Sequence, residues 1–393
     1  MRSRVWAGLA IAALCLTGCS GFWNAAPSGG GGGTGSTTLT SGDFYVLNIA
    51  TNQVVGLFVN AGKLTALGSP YTLASAPIAI TVAPNNAFLY VSTLNGIFVY
   101  TIDTSSGILT LGNNGQPITA DAATAMQVDP TNTWLIEGGA GTPAVYAIKI
   151  NSTTGVLATS GETQIAATLP SNTVNQVAIS PDGTFLLVAN GSLGTATIPF
   201  NAANNNPFGT VGKIAPANTS AGAALSVAFD PIISGTTAPR VFYIGETVAK
   251  SGTNTGGLRV FNFSNVKEIS GSPFAIGGLA PYDILPLANG ENVYALSRQT
   301  ASGQTGVIAG FSIAVTNGTP ALTALSSSFS TGSHPQALVE DNSHQFVFAV
   351  DFDGNPDLVG YTFDSTTAGN LDKVISGQTG TDPVQAGAIA AIH

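Results

Sequence analysis

Glu246, Arg298 and Asp351 are spaced as residues that could act together. Each stands five positions after Val241, Val293 or Phe346, which open three apolar runs of one kind. An acid, a base and an acid at matching places in successive repeats could hold a guanidinium by charge-assisted hydrogen bonds and aim it at a polar ligand. Tyr282, Asp283 and His334 fall near enough in the pattern to join them as ligand-binding candidates. A solvated ion-pair network at loop ends would use the same residues, each pair contributing at most about 1 kcal/mol. Asp351, Asp353, Asn355 and Asp357 alternate, a spacing of oxygen ligands that Ca2+ could use. The run lacks the sixth-position glycine and the twelfth-position glutamate of an EF-hand loop. A plain turn around Asp353-Gly354-Asn355-Pro356 accounts for the same residues.

Other chemistry is thinly supplied. Of three histidines, His393 ends the chain and His344 falls in a turn, so a zinc site of several His is excluded. There is no G-x-S-x-G elbow and no His-Glu-x-x-His, and hydrolysis through a protein nucleophile has no visible machinery. Charged residues are 8% of the chain, against about 25% in an average soluble protein. A formal charge of −9 leaves no basic footprint for nucleic acid. Sparse Lys and Glu favour an all-β chain over one with solvated helices.

The elements that position these residues are repeats. Ile78-Ala79-Ile80-Thr81-Val82, a turn at Pro84, then Phe88-Leu89-Tyr90-Val91 is matched by Val177-Ala178-Ile179, a turn at Pro181, then Phe185-Leu186-Leu187-Val188. Weaker copies turn at Pro130, Pro231, Ala288 and Asp341, and the six turns lie 46 to 57 residues apart, enough for four short strands each. Two fragments complete one another. Gly387 to His393 looks like a first strand stopping at the turn position, and Phe44-Tyr45-Val46-Leu47 like a second strand lacking its first. Joined, they make a seventh unit and remove the free edge of an open ring. The sequence therefore predicts a single seven-bladed β-propeller over residues 43–393. In such a ring the loops between blades and those between second and third strands share one face around an axial channel, where the candidates would gather.

Ahead of the repeats, Arg2 and Arg4 precede an apolar run from Val5 to Leu16, the build of a secretory signal over residues 1–18. Leu16-Thr17-Gly18-Cys19 resembles the bacterial lipobox, which implies a diacylated Cys19 at the mature N-terminus. Ser20 follows where Asp would favour inner-membrane retention, so an outer-membrane place is expected. Residues 19–42, with the run Gly29 to Gly33, read as a flexible tether. Gly30, Gly32 and Gly35 satisfy G-x-G-x-x-G, but no strand precedes them and no helix follows.

Pro181-Asp182-Gly183-Thr184-Phe185-Leu186-Leu187-Val188-Ala189-Asn190, with the repeat spacing, resembles the lactonase-type and YVTN-type seven-bladed propellers. The family's enzymes, similar to 6-phosphogluconolactonase and a muconate-lactonising cyclase, show Pro-Arg-His where a blade opens and Asn-Glu after a second strand. Here the openings are Pro77-Ile78-Ala79, Pro281-Tyr282-Asp283, Pro335-Gln336-Ala337 and Pro383-Val384-Gln385, and Asn190 precedes Gly191, so no catalytic residue carries across. Few bases in the mature chain also argue against a phosphorylated sugar acid. The expectation is a monomeric, lipid-anchored, extracytoplasmic binding module of the cell envelope that presents one face to an envelope protein, a glycan or a small molecule. It would bind no nucleic acid and need no cofactor unless Ca2+. The alternative is a lactonase-like hydrolase or cyclase acting on a small lactone or sugar acid.

Overall fold

The computed structural model describes residues 42–393 apart from 61, 119–121, 140, 142, 159–163, 171–173, 250–255, 279, 299–305, 317, 355 and 377–384. The proposed signal, Cys19 and nearly all of the tether lie outside the described residues. Seven antiparallel sheets form a ring of seven blades. In chain order from Pro77–Val82, the innermost strands of blades 1 to 6 are Pro77–Val82, Ala123–Val128, Gln176–Ile179, Ala224–Phe229, Ala280–Pro286 and Pro335–Glu340. That of blade 7 is Ala386–Ala391, paired with Asp43–Asn48 in the register Phe44↔Ala391 to Asn48↔Ala386. The expected closure by the C-terminal strand is thus observed.

Period-two alternation explains why the blades stack. Along the second strand of blade 2, Trp134 and Ile136 join the core shared with blade 3, while Leu135 joins the core shared with blade 1. Each of the seven clusters lies between two adjacent blades, the last joining Tyr45 and Leu47 of blade 7 to Leu89 and Val91 of blade 1. Aromatic side chains latch neighbours at their outer hairpins. Tyr45 donates to Gly107 O at 2.7 Å, Tyr90 to Gly155 O at 2.9 Å and Tyr294 to Gly369 O at 2.7 Å.

The turn between first and second strands owes its Pro or acidic signature to backbone needs. Asp129 accepts the amides of Thr131 at 2.7 Å and Thr133 at 2.8 Å, and Asp341 those of Gln345 at 3.1 Å and Phe346 at 2.7 Å. The same turn needs one left-handed residue, which Asn86, Asn132, Gly183, Gly290 and His344 supply. These turns form the lower face. The upper face is where second strands end and first strands begin.

Candidate functional site

The upper end of the axial channel opens into a cavity of about 470 Å3. Its polar lining comes from six side chains on inner strands or just before them: Thr124, Asn175, Gln176, Tyr282, Asp283 and Gln336. Gln176 and Asp283 each stand five residues before the turn residues Pro181 and Ala288, so they occupy one level of the ring. Gln176 Nε2 donates to Asp283 Oδ1 at 2.9 Å across two blade boundaries. Asp283 also accepts the amides of Ile284 at 2.9 Å and Leu338 at 2.8 Å. Burial nonetheless raises its pKa to about 6, the hydrogen bonds opposing but not cancelling desolvation.

Arg298 lies at the rim. Its guanidinium stacks on Tyr282, 3.5 Å from the ring centroid, donates from Nε to Pro335 O at 2.8 Å, and bonds the Gln336 side chain. Partial burial lowers its pKa from the usual value. The three-residue arc is not formed as the sequence predicts. The second strand of blade 5 opens at Asn292, one residue before Val293. Leu287 N bonds Asn292 O at 2.9 Å, just as Asp230 N bonds Val241 O at 3.1 Å and Asp341 N bonds Phe346 O at 3.0 Å. Ser297, paired with Pro281, is therefore the counterpart of Glu246 and of Asp351, which pairs with Pro335. One residue further on, Arg298 turns to the other side of its strand.

The two acids are consequently buried behind the rim with other partners. Glu246 is bonded by Arg259 Nη1 and by Ala217 N, at 2.8 and 2.9 Å, and burial raises its pKa despite that cation. Asp351 accepts Thr331 Oγ1 at 2.7 Å and Gly332 N at 3.0 Å, with burial raising its pKa to about 6 and Arg298 acting on it only through its field. Gly332 is required there, since a Cβ would lie 2.5 Å from Asp351 Cγ. His334 Nδ1 pairs with Asp353 Oδ2 at 2.8 Å, both half-exposed. With Asp351 and Asp353 so engaged and Asn355 outside the described residues, the alternating acids do not assemble. No three His, Cys, Asp or Glu side chains among the described residues could hold a metal ion together.

Of the sequence candidates, Tyr282 and Asp283 line the cavity, Arg298 packs on Tyr282 beside it, His334 is half-exposed and paired with Asp353, and Glu246 and Asp351 are buried supports. The polar residues overlooked are Thr124, Asn175, Gln176 and Gln336, together with Arg259 on the third strand of blade 4. Position five before the turn, already legible at Asp283, would have identified Gln176.

Residues 41–173 match the family described as Lactonase, 7-bladed beta-propeller. Among solved structures, a proposed 6-phosphogluconolactonase from Bacteroides fragilis aligns with a TM-score of 0.67 at 18% identity, covering 88% of this chain and 97% of that one. Another from Bacteroides uniformis aligns at 0.69 and 15%, covering 89% and 99%. A functionally unknown protein from Desulfotomaculum acetoxidans aligns at 0.61 and 12%, covering 90% and 100%. The chain matches no curated protein. The chain is thus a seven-bladed β-propeller whose first blades match the lactonase family and whose remaining blades complete a ring of the same fold.

Proposed function

We propose that the chain hydrolyses a small lactone at the upper mouth of its channel. The observation that carries this is Arg298, a guanidinium held flat on Tyr282 and bonded to Gln336, two residues that line a cavity with no Lys or Arg in its described lining. Pro335 O and the Gln336 side chain fix its fork, and its remaining N–H groups can polarise an acyl oxygen as charge develops there. His334 directly precedes Pro335 and is oriented through Nδ1 by Asp353, which suits Nε2 to take a proton from water. Water oxygen then bonds to the acyl carbon, the ring C–O bond breaks, and the leaving alkoxide takes the proton back. The match of residues 41–173 to the lactonase family and the neighbours described as proposed 6-phosphogluconolactonases support this over binding alone. It also accommodates the missing Pro-Arg-His, since the cation comes from the end of a second strand.

The test is proton release from a panel of lactones by the purified full chain. Turnover should be saturable and should fall about a hundredfold in Arg298→Ala with little change in melting temperature. Tight binding of a lactone or an envelope glycan without turnover would instead return the chain to a binding module. We further propose that Cys19 carries the lipid and holds the propeller to the outer membrane. Labelled fatty acid should enter the wild-type chain, while Cys19→Ser should be exported, unlabelled and released from membranes. Equal labelling of the two would overturn the anchor.

A further inference from the structure

The inner strand is the last of each sheet, so every second N–H along it faces the channel with no strand to bond. At the level of Asp283, three of these are taken by side chains. Val227 N donates to Gln176 Oε1 at 2.8 Å, while Ile284 N and Leu338 N donate to Asp283. Their register identifies the matching groups in the other blades as Ile389, Ile80, Met126 and Val177. Among the described residues, no side chain caps these four. Where Gln176 and Asp283 stand in blades 3 and 5, the residues that would reach them are Ala337, Ala388, Ala79 and Ala125.

The four belong to consecutive blades, 7, 1, 2 and 3, and all four residues line the 470 Å3 cavity. One side of the cavity thus offers a contiguous arc of backbone N–H donors. The opposite side offers the acceptor oxygens of Asp283 and Gln176.

We propose that this arc is a binding site for a carboxylate and that the cavity fits a hydroxycarboxylate. Converging backbone N–H groups receive an anion without a cationic side chain, because their dipoles are already fixed. The ligand's hydroxyl then donates to Asp283 across the channel. A hydroxycarboxylate is the ring-opened form of a lactone, so the cavity retains the product of the reaction proposed above. That last assignment rests on the lactone proposal; the carboxylate arc does not.

Calorimetric titration of the full chain with 4-hydroxybutanoate, γ-butyrolactone and 1,4-butanediol separates carboxylate, closed ring and hydroxyl on one carbon skeleton. The acid should bind about tenfold or more tighter than the diol. Ala388→Gln and Ala337→Gln would cap Ile80 N and Ile389 N as Gln176 caps Val227 N. Each should weaken the acid about fivefold or more at unchanged melting temperature. Equal affinity for acid and diol overturns the site, and that comparison on the unaltered chain stands even if a glutamine variant fails to fold. So does a folded pair of glutamine variants that bind the acid normally. Binding of the acid with no turnover of any lactone leaves the arc in place and removes only the hydrolase. Turnover with no binding of the acid does the reverse.

Discussion

Asp351 ties the chemistry of the rim to the stability of the fold. Its carboxyl is buried, takes two hydrogen bonds from Thr331 and Gly332, and has a pKa raised to about 6. A raised carboxyl binds a proton more readily folded than unfolded, so its contribution to stability grows as pH falls from 7 to 5. The gain is roughly 1 kcal/mol, and Asp283, with the same pKa, adds a similar amount. Asp351→Asn should keep the bonds from Thr331 and Gly332 while removing this titration. Melting temperature against pH should then be flatter for the variant between pH 5 and 7, and two parallel curves would show that Asp351 is ionised in the folded chain. Arg298 calls for a different comparison. Lysine keeps the charge but neither stacks on Tyr282 nor forks between Pro335 O and Gln336, so Arg298→Lys should lose most of the turnover that Arg298→Ala loses. At this scale sequence found the neighbourhood and missed the partners. An apolar run does not reveal that its strand opens one residue early, at Asn292, and that single step sends a side chain to the opposite face. Backbone donors such as Met126 N carry no signature in residue type at all.

At the scale of the blade, most of the architecture was legible because the turns that repeat have strict chemical needs. Asp129 and Asp341 each bond several amides of the hairpin they close, and Asn86, Asn132 and His344 meet the demand for a left-handed residue. Removing such a cap should be costly. Asp129→Ala strips the amides of Thr131 and Thr133 of their acceptor, with an expected loss of about 2 kcal/mol in denaturant unfolding. The interblade latches carry less each. Tyr90→Phe keeps the ring in its core and deletes only the bond to Gly155 O, so about 1 kcal/mol should be lost; a neutral result would mean that solvent reaches that carbonyl. Spacing could not reveal these latches, since Tyr90 and Gly155 lie 65 residues apart and meet only when blades stack.

For the whole molecule, closure is the feature on which both the fold and the site depend. Ala386–Ala391 is at once the inner strand of blade 7, the strand paired with Asp43–Asn48, and a wall of the cavity through Gly387, Ala388 and Ile389. Ile389 and Ala391 join Phe44, Val46, Phe348 and Val350 in the core between blades 6 and 7, where Phe44 and Phe348 stack at 4.5 Å. The chain end is fastened by reciprocal bonds of 2.7 Å between His393 and Asn86 of blade 1. Deleting residues 387–393 would therefore uncover Asp43–Asn48 along one edge, empty part of that core and open the ring. Loss of a few buried apolar side chains and their strand pairing removes several kcal/mol, a large share of what a domain has to spare. Unfolding of the truncated chain should begin at lower denaturant and lose its single cooperative transition, and the loss of the cavity wall that carries Ile389 N should weaken carboxylate binding in whatever remains folded. Adding back a peptide of residues 383–393 should restore both together, since one strand serves both. A truncated chain that melts like the full one would show that the ring is held without its clasp.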